Sequence, residues 1–404
     1  MVEIDCHDAS ACHQWRPEQF REVLDVLRTA KARVAEGTMA AARYESLEVS
    51  VGLRYNPDGF VASPALASHV DPVAVATYDW VHNMLQDGVF TSEAQAFLAA
   101  AGIERCQVQA MLRDEAWCFP RCQAAKRKQL HKVFDERRVS AANSDKLKAS
   151  CAEMLGVYGL LRHFVECRVR STPDLTLKRE SFFAACKVMD LLLTAKRVLA
   201  KIEDAAPALK AATEGFLVKH KLAYGVTNIK PKHHWQLDVP EQIRRDGLVL
   251  DAFVIERTHL RVKGVAEHIR NTTRFEGSTL ASLANVMWQN AAELSSCSGL
   301  VGRSAPWPGC PGLVVADHME FFSVRVSVDD VVLRGDKAAI VTACCTADGE
   351  LVSIVQQCAF IRRMSEHTHV FRPTDGLEAW PAKEIRLSLA WRRRDDHCLI
   401  VVVQ

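Results

Sequence analysis

The sequence predicts a mixed α/β protein with a long helical region and a small all-β domain at its C-terminal end. Apolar residues recur at helical spacing through much of residues 90–225, which indicates amphipathic helices. Beyond residue 312, short apolar runs flank turn residues such as Asp348-Gly349, a pattern typical of strands joined by hairpins. The length of 404 residues favours two or three domains over a single core.

Composition is that of a packed globular protein and excludes several other classes. Hydrophobic residues make up 49% and charged residues 25% of the chain, which argues against long disordered stretches. The formal net charge is only +2, so a nucleic-acid partner would have to be bound by local basic clusters. No apolar run reaches the roughly 18 residues of a membrane helix, and no secretory signal is visible. We therefore expect an intracellular protein that is neither secreted nor bound to a membrane.

Residues 1–89 are expected to contain two amphipathic helices, a loop and a third helical segment. The first helix is expected over residues 17–36, because Pro17 suits a first helical turn, and the second around residues 40–51. Residues 54–72 contain three prolines and an Asn-Pro-Asp-Gly turn, which predicts a loop. Helical spacing resumes at Val73 and continues past His82.

The remaining chain divides into a helical region, a mixed region, a linker and a strand-rich domain. Residues 90–225 are predicted to be all helical, and residues 226–297 to hold a buried strand over 248–255 followed by two helices. Residues 298–312 are rich in Pro and Gly, which predicts a linker. Residues 313–404 predict five to seven strands in a small barrel or sandwich.

The fourteen cysteines are scattered, and reduced thiols are the expected state. Two groups carry zinc-ligand chemistry: Cys6-His7 with Cys12-His13, and Cys118 with Cys122 and His131. Neither group has the paired spacing of a zinc ribbon. A zinc site is therefore not expected.

Two segments of the chain carry residue combinations that resemble one protein family. They contain, in order, Tyr78-Asp79-Trp80-Val81-His82, Gly88-Val89, Lys230-Pro231-Lys232-His233-His234, Gly247, and Glu256-Arg257-Thr258-His259 with Lys263. The order and spacing resemble the transposase domains of eukaryotic CACTA and Kyakuja-Dileera-Zisupton-like elements over roughly residues 45–300. Val81 stands where that family usually has Met, and Asp238 where it usually has a third histidine.

The resemblance implies an RNase H-like α/β core in two parts, residues 1–89 and 226–297, separated by a large all-α insertion over residues 90–225. In that fold, carboxylates from separate elements hold two divalent metal ions for DNA strand cleavage. By the resemblance, Asp79 matches the second aspartate and Glu256 the glutamate. Both would hold Mg²⁺ or Mn²⁺, which prefer oxygen ligands. His82 and His259 would orient a carboxylate or a phosphate.

A set of basic residues close to the implied carboxylates is expected to contact DNA phosphates. The set consists of Lys230, Lys232, His233, His234, Arg257, Arg261 and Lys263. The candidate partners are therefore DNA and a second copy of the chain, and the expected location is the nucleus.

The first catalytic aspartate of the family has no clear counterpart, because no segment before Asp79 resembles a buried strand that ends in Asp; Met1–Asp5 is a weak match. The core therefore looks incomplete and N-terminally truncated. The expected ancestral reaction is metal-dependent DNA strand cleavage and transfer, with this chain inactive. The alternative is a non-enzymatic DNA- or protein-binding module from a decayed or domesticated mobile element.

Each singled-out residue also has a purely structural interpretation. Asp79 and Glu256 would both be favourable charges at the N-terminus of a helix. His82 would be a core or capping histidine, and His233, His234 and His259 would pack one turn of the chain. Motifs for nucleotide hydrolysis, dinucleotide binding, serine esterases and zinc proteases are absent from the sequence.

Overall fold

In the described residues, α-helices occur up to Leu294 and antiparallel strands from Ser298 onward. The computed structural model describes residues 17–51, 53–57, 59, 62, 69, 77–115, 117–119, 130–135, 138, 147–197, 202–250, 263–267, 269, 275–294, 298–307, 310–321, 324–347, 349–388, 390–395 and 398–403. The chain splits into two compact units, Met1–Tyr78 and Asp79–Gln404. None of the described helices combines the length and apolar character that crossing a membrane requires.

The first unit contains two helices, α1 (Pro17–Ala35) and α2 (Ala41–Val51). Both agree with the helices predicted over residues 17–36 and 40–51. Their contact is apolar: Leu27, Ala30 and Tyr44 are buried together and partly buried side chains surround them. The Tyr44 hydroxyl donates to the Glu48 carboxylate at 2.7 Å, which fixes this side chain within α2.

The second unit begins with a set of helices that confirms the helical character predicted for residues 90–225. They are α3 (Trp80–Met84), α4 (Val89–Ala100), α5 (Arg105–Asp114), α6 (Cys151–Cys167), α7 (Thr176–Arg197), α8 (Ile202–Tyr224), α9 (Pro231–Trp235), α10 (Val239–Asp246) and α11 (Phe275–Leu294). Single 3-10 turns occur at Leu130–Phe134, Pro173–Leu175 and Val226–Asn228.

Helix α6 shows how the sequence fixes these elements locally. The Ser150 hydroxyl accepts from the Glu153 amide, and the Glu153 carboxylate accepts from the Ser150 amide at 2.9 Å, a capping box that starts the helix. Met154, Val157 and Leu161 recur at helical spacing and are almost fully buried. The helix is therefore held by packing on more than one side.

The strands of the second unit form one ten-stranded antiparallel sheet. They are β1 (Ser298–Trp307), β2 (Cys310–Phe321), β3 (Val324–Ser327), β4 (Val331–Arg334), β5 (Lys337–Ala347), β6 (Glu350–Ser365), β7 (Thr368–Pro381), β8 (Arg386–Leu387), β9 (Ala390–Asp395) and β10 (Cys398–Val402). The main path runs β1-β2-β5-β6-β7-β10-β9, with β3 paired to β2 and β4 paired to both β5 and β8.

Several predictions about this region differ from the structure. Residues 298–312 were predicted as a linker, but residues 298–307 form β1 and residues 310–312 begin β2. Residues 248–250, predicted to open a buried strand, lie outside any strand, and residues 251–255 lie outside the described residues. In the described part of residues 79–294, pairing into the sheet is limited to the isolated bridge between Cys118 and Trp391.

The helices and the sheet are joined by buried polar contacts as well as by apolar packing. Arg162 of α6 donates to the Asp190 carboxylate at 2.5 Å and to the Val403 carbonyl at 2.5 Å. His163 of α6 contacts the Thr368 hydroxyl of β7 at 2.9 Å. Because a buried charge is stable only when it is paired, the Asp190 carboxylate of α7 holds Arg162 in place. The contacts with Val403 and Thr368 then fix α6 against the sheet.

Candidate functional site

Asp79 lies immediately before α3 and caps it. Its carboxylate accepts from the amides of Val81 at 3.1 Å and His82 at 3.3 Å, and it also contacts His82 Nδ1. The Asp79 side chain is 22% exposed and that of His82 35%. The structure therefore shows the helix-terminal role for Asp79 and places His82 against its carboxylate.

Gly88 brings α3 and α4 close together. A Cβ at this position would lie 2.5 Å from the Met84 carbonyl carbon and 2.7 Å from its oxygen, and closer still to the Asn83 oxygen. The Gly88 amide donates to the Thr91 hydroxyl at 2.9 Å, and that hydroxyl donates back to the Gly88 carbonyl at 2.8 Å. In the Gly88-Val89 motif, Gly88 thus allows the close approach of two backbone segments, and Val89 begins α4.

The second motif contacts the first through Lys232. Its ammonium donates to the His82 carbonyl at 2.9 Å and to the Gln86 carbonyl at 2.7 Å. These carbonyls lie at the C-terminal end of α3, where the helix dipole favours a cation. Two segments separated by 150 residues in the chain therefore form one assembly.

His233 is buried in this assembly and is 1% exposed. Its Nδ1 accepts from the Lys230 amide at 3.1 Å, and its ring lies 4.6 Å from that of His220. Burial, the neighbouring His220 and the Lys230 charge lower the pKa of His233 to about 3, so the ring is neutral at pH 7. His233, which the sequence predicts to contact DNA, is covered by the surrounding protein, and its visible contacts are those that pack the turn.

Beneath the motifs lies a buried pair that sequence reasoning missed. The Glu93 carboxylate of α4 contacts His220 Nδ1 of α8 at 2.6 Å, and both side chains are almost fully buried. Burial and the Glu93 charge raise the pKa of Tyr224. No sequence signal pairs Glu93 with His220, because 127 residues separate them.

Several polar atoms around this pair are buried without a hydrogen-bond partner among the described residues. They are Glu93 Oε1, His220 Nε2 and His233 Nε2. Such atoms carry a desolvation cost, and internal water commonly satisfies them. Nowhere in the described chain do three or more His, Cys, Asp or Glu side chains form a group that could hold a metal ion.

The other residues predicted to contact DNA or metal differ from one another in exposure and contacts. His234 is half-buried and Lys263 is exposed, whereas the Lys230 ammonium contacts the Ser92 hydroxyl at 3.4 Å. Glu256, Arg257, His259 and Arg261 lie outside the described residues, as do Cys6, Cys12 and Cys122 of the two zinc candidates. The metal-holding role of Asp79 and Glu256 therefore stays a prediction.

Comparison of the chain with protein-family models, with curated proteins and with solved structures finds no match in any of the three.

Proposed function

We propose that this chain derives from a DNA transposase and binds DNA without cleaving it. The observation that carries the proposal is the contact of Lys232 with the carbonyls of His82 and Gln86. Because of this contact, the described parts of the two segments that resemble the transposase family form one folded assembly. The ancestral core in this proposal is RNase H-like, and a nuclear location follows from a DNA partner.

The carboxylates of the chain are the reason why we expect no cleavage. Two-metal hydrolysis needs several carboxylates that hold both ions, and the sequence has no clear counterpart of the family's first aspartate. The Asp79 carboxylate is an oxygen donor of the kind that Mg²⁺ prefers, but it caps α3 and contacts His82. The proposal therefore assigns no reaction step to a metal ion.

The experiment measures nicking and binding separately. Supercoiled plasmid is incubated with the protein and Mg²⁺ or Mn²⁺, beside the Glu256→Gln variant, and we expect no nicking above background from either. A labelled DNA duplex is then titrated with the protein in fluorescence anisotropy. We expect an affinity that falls linearly with the logarithm of salt concentration, as phosphate contacts require.

Two lysines of the second motif region provide a matched comparison. Lys263 is exposed, so Lys263→Gln should weaken duplex binding and leave thermal stability unchanged. Lys232 holds the end of α3, so Lys232→Gln should lower the melting temperature. Metal-dependent nicking that is lost in Glu256→Gln would show an active enzyme instead, and absence of duplex binding at low salt would favour a protein-binding module.

A further inference from the structure

A cavity lies in the second unit where helices α6 and α7 meet the end of the β6–β7 hairpin. Its volume is about 420 Å³, within the roughly 300–1,000 Å³ that pockets for small molecules occupy. Arg162 and Glu166 of α6 line one part of it, and residues 364–367 of the hairpin line another. The cavity therefore has the size of a small-molecule site, and none of the residues predicted to contact DNA lines it.

Helix α7 contributes a cation, an aromatic ring and a second cation to this cavity. Arg179, Phe183 and Lys187 follow one another at intervals of four residues, which places them on one face of the helix. The Arg179 guanidinium lies 5.1 Å from the centroid of the Phe183 ring. Cys186 and Met364 add apolar surface, and burial raises the pKa of the Cys186 thiol, which keeps it neutral. The cavity thus combines an apolar wall with two cations.

Two of the carboxylates that line the cavity are already engaged by the protein. The Asp190 carboxylate accepts from Arg162 at 2.5 Å. The Glu166 carboxylate accepts from the Ser365 hydroxyl through one oxygen and contacts His367 Nδ1 at 2.7 Å through the other. Because their charge and their oxygens are used in these contacts, Asp190 and Glu166 do not neutralise the cations of α7.

The two cations of α7 form no ion pair with any residue that the structure describes. The Arg179 guanidinium donates to the Val169 carbonyl at 3.0 Å and to the Glu166 backbone carbonyl at 3.5 Å. These two contacts leave N–H donors of the guanidinium unused. Lys187 is exposed, and the third carboxylate of the cavity, that of Glu366, belongs to the exposed turn of the hairpin. One carboxylate against two cations leaves an excess of positive charge.

We propose that this cavity binds a small organic anion, with a carboxylate or phosphate group paired with Arg179 and Lys187 and an apolar body against Phe183 and Met364. Arginine holds both kinds of anion through charge-assisted hydrogen bonds. The apolar wall favours an organic anion over inorganic phosphate, because only the former buries apolar surface there. The size of the cavity favours a small molecule over a peptide or a nucleic-acid chain. This site is separate from the proposed DNA contact and goes beyond it.

The test uses the full chain and two fluorinated probes, 4-fluorophenyl phosphate and 4-fluorobenzoate, whose binding is measured by fluorine NMR line broadening. We expect a dissociation constant on the order of 1 mM for the better probe, as ligands of this size allow. The comparison of the two probes identifies the preferred anionic group. The uncharged 4-fluorobenzyl alcohol should bind about tenfold more weakly, and inorganic phosphate should displace the better probe only at concentrations well above that of the probe.

Substitutions on α7 locate the bound probe. Lys187→Gln should weaken binding about threefold, because solvent screens an exposed pair, and Arg179→Gln about tenfold through lost charged hydrogen bonds. Lys178→Gln is the matched control, because it removes the same charge from the same helix outside the cavity. Arg179 also contacts carbonyls at the end of α6, so a melting curve accompanies each variant. Lys187→Gln breaks no ion pair of the described residues and decides the test if Arg179→Gln unfolds.

The outcomes decide between a small-molecule site and the alternatives. Binding of a fluorinated anion that both cavity variants weaken, and that Lys178→Gln leaves unchanged, supports the proposal. Equal binding of the alcohol, an unchanged affinity in Lys187→Gln, an equal loss in the control, or no broadening with either anion overturns it. Displacement of the probe by a DNA duplex also overturns it, because the cavity would then belong to a DNA-binding surface. Duplex binding is measured separately, so failure of this proposal leaves the proposed function standing.

Discussion

Gly88 occupies a position that no other residue can fill without moving backbone. An added Cβ would meet the backbone of Asn83 and Met84 in α3. We expect Gly88→Ala to lower the free energy of unfolding by about 3 kcal/mol or more, because overpacking against rigid backbone forces the two helices apart. Urea denaturation followed by far-UV circular dichroism measures the change.

Gly215 in α8 is the control for Gly88→Ala. A Cβ at Gly215 would meet nothing within 4 Å, and alanine favours the helix interior over glycine by about 0.5–1 kcal/mol. Gly215→Ala should therefore stabilise the protein slightly. If both substitutions have effects of the same sign and size, the close approach of α3 and α4 is not what makes Gly88 necessary.

Single residues also show where sequence reasoning succeeded and where it stopped. The motif residues Asp79, His82 and Lys232 do form one assembly in the structure. The contacts that the structure shows for these residues lie at the ends of helices. For Asp79, this role is the structural interpretation that the sequence analysis gave beside the catalytic one. The partnership of Glu93 with His220 was not predictable, because a tertiary contact between two helices leaves no local spacing pattern.

Among the strands, turn residues predicted the structure correctly, whereas the content of Pro and Gly did not. Gly349 has a φ of +81°, and β5 and β6 pair as an antiparallel hairpin around it, as the sequence predicts. The Pro- and Gly-rich residues 298–312 were predicted as a linker, but residues 298–307 and 310–312 form strands. Pro306 lies in β1, the last strand on its side of the sheet, and an edge strand tolerates a residue that has no amide hydrogen.

The contact between α6 and the sheet depends on Arg162, whose side chain is fully buried. Arg162→Met would leave the Asp190 carboxylate buried without its cation, and we expect a loss of about 3–5 kcal/mol in the free energy of unfolding. Replacing both partners, as Arg162→Met with Asp190→Leu, should recover much of that loss because no unpaired charge remains. Urea denaturation of the three proteins measures both effects.

The exposed ion pair between Arg113 and Asp114 provides the comparison for Arg162. Solvent screens this pair, so Arg113→Met should have little effect on stability. An Arg162→Met variant as stable as Arg113→Met would show that the buried network does not hold α6 to the sheet. A double variant no more stable than Arg162→Met would show that the side-chain volume matters more than the charge.

On the scale of the whole molecule, the chain splits into two compact units, whereas the sequence predicts a finer division whose boundaries stay a prediction. The sequence separates residues 90–225 from residues 313–404, whereas the structure assigns both to the unit Asp79–Gln404. The reason is the set of contacts between α6 and the sheet, which includes His163 with Thr368 and Glu166 with His367. Contacts between residues some 200 positions apart are invisible to periodicity and composition.

The same buried histidines make the stability of the whole fold dependent on pH. Burial and nearby positive charge lower the pKa of His163 to about 4 and that of His233 to about 3, from an ordinary value of 6.5. Below pH 6.5 these two histidines therefore become protonated in the unfolded chain, whereas in the folded chain they stay neutral until pH 4 or lower. Stability must fall on acidification through that window, by about 1 kcal/mol per histidine for each pH unit between 6 and 5.

Urea denaturation at pH 8, 7, 6 and 5 measures this dependence, and the variants His163→Gln and His233→Gln assign it. Each substitution removes one proton-linked group, so each should reduce the decline between pH 6 and 5 by about 1 kcal/mol while leaving the interval from pH 8 to 7 nearly unchanged. Arg138 and the Ser150 cap lower the pKa of Glu153 to about 2. The contribution of Glu153 to the free energy of unfolding is therefore lost only below about pH 4.5, outside the measured interval. A decline between pH 6 and 5 that survives both substitutions would mean that these two rings are accessible to protons in the folded chain, and the buried cluster around His233 would then be open to water.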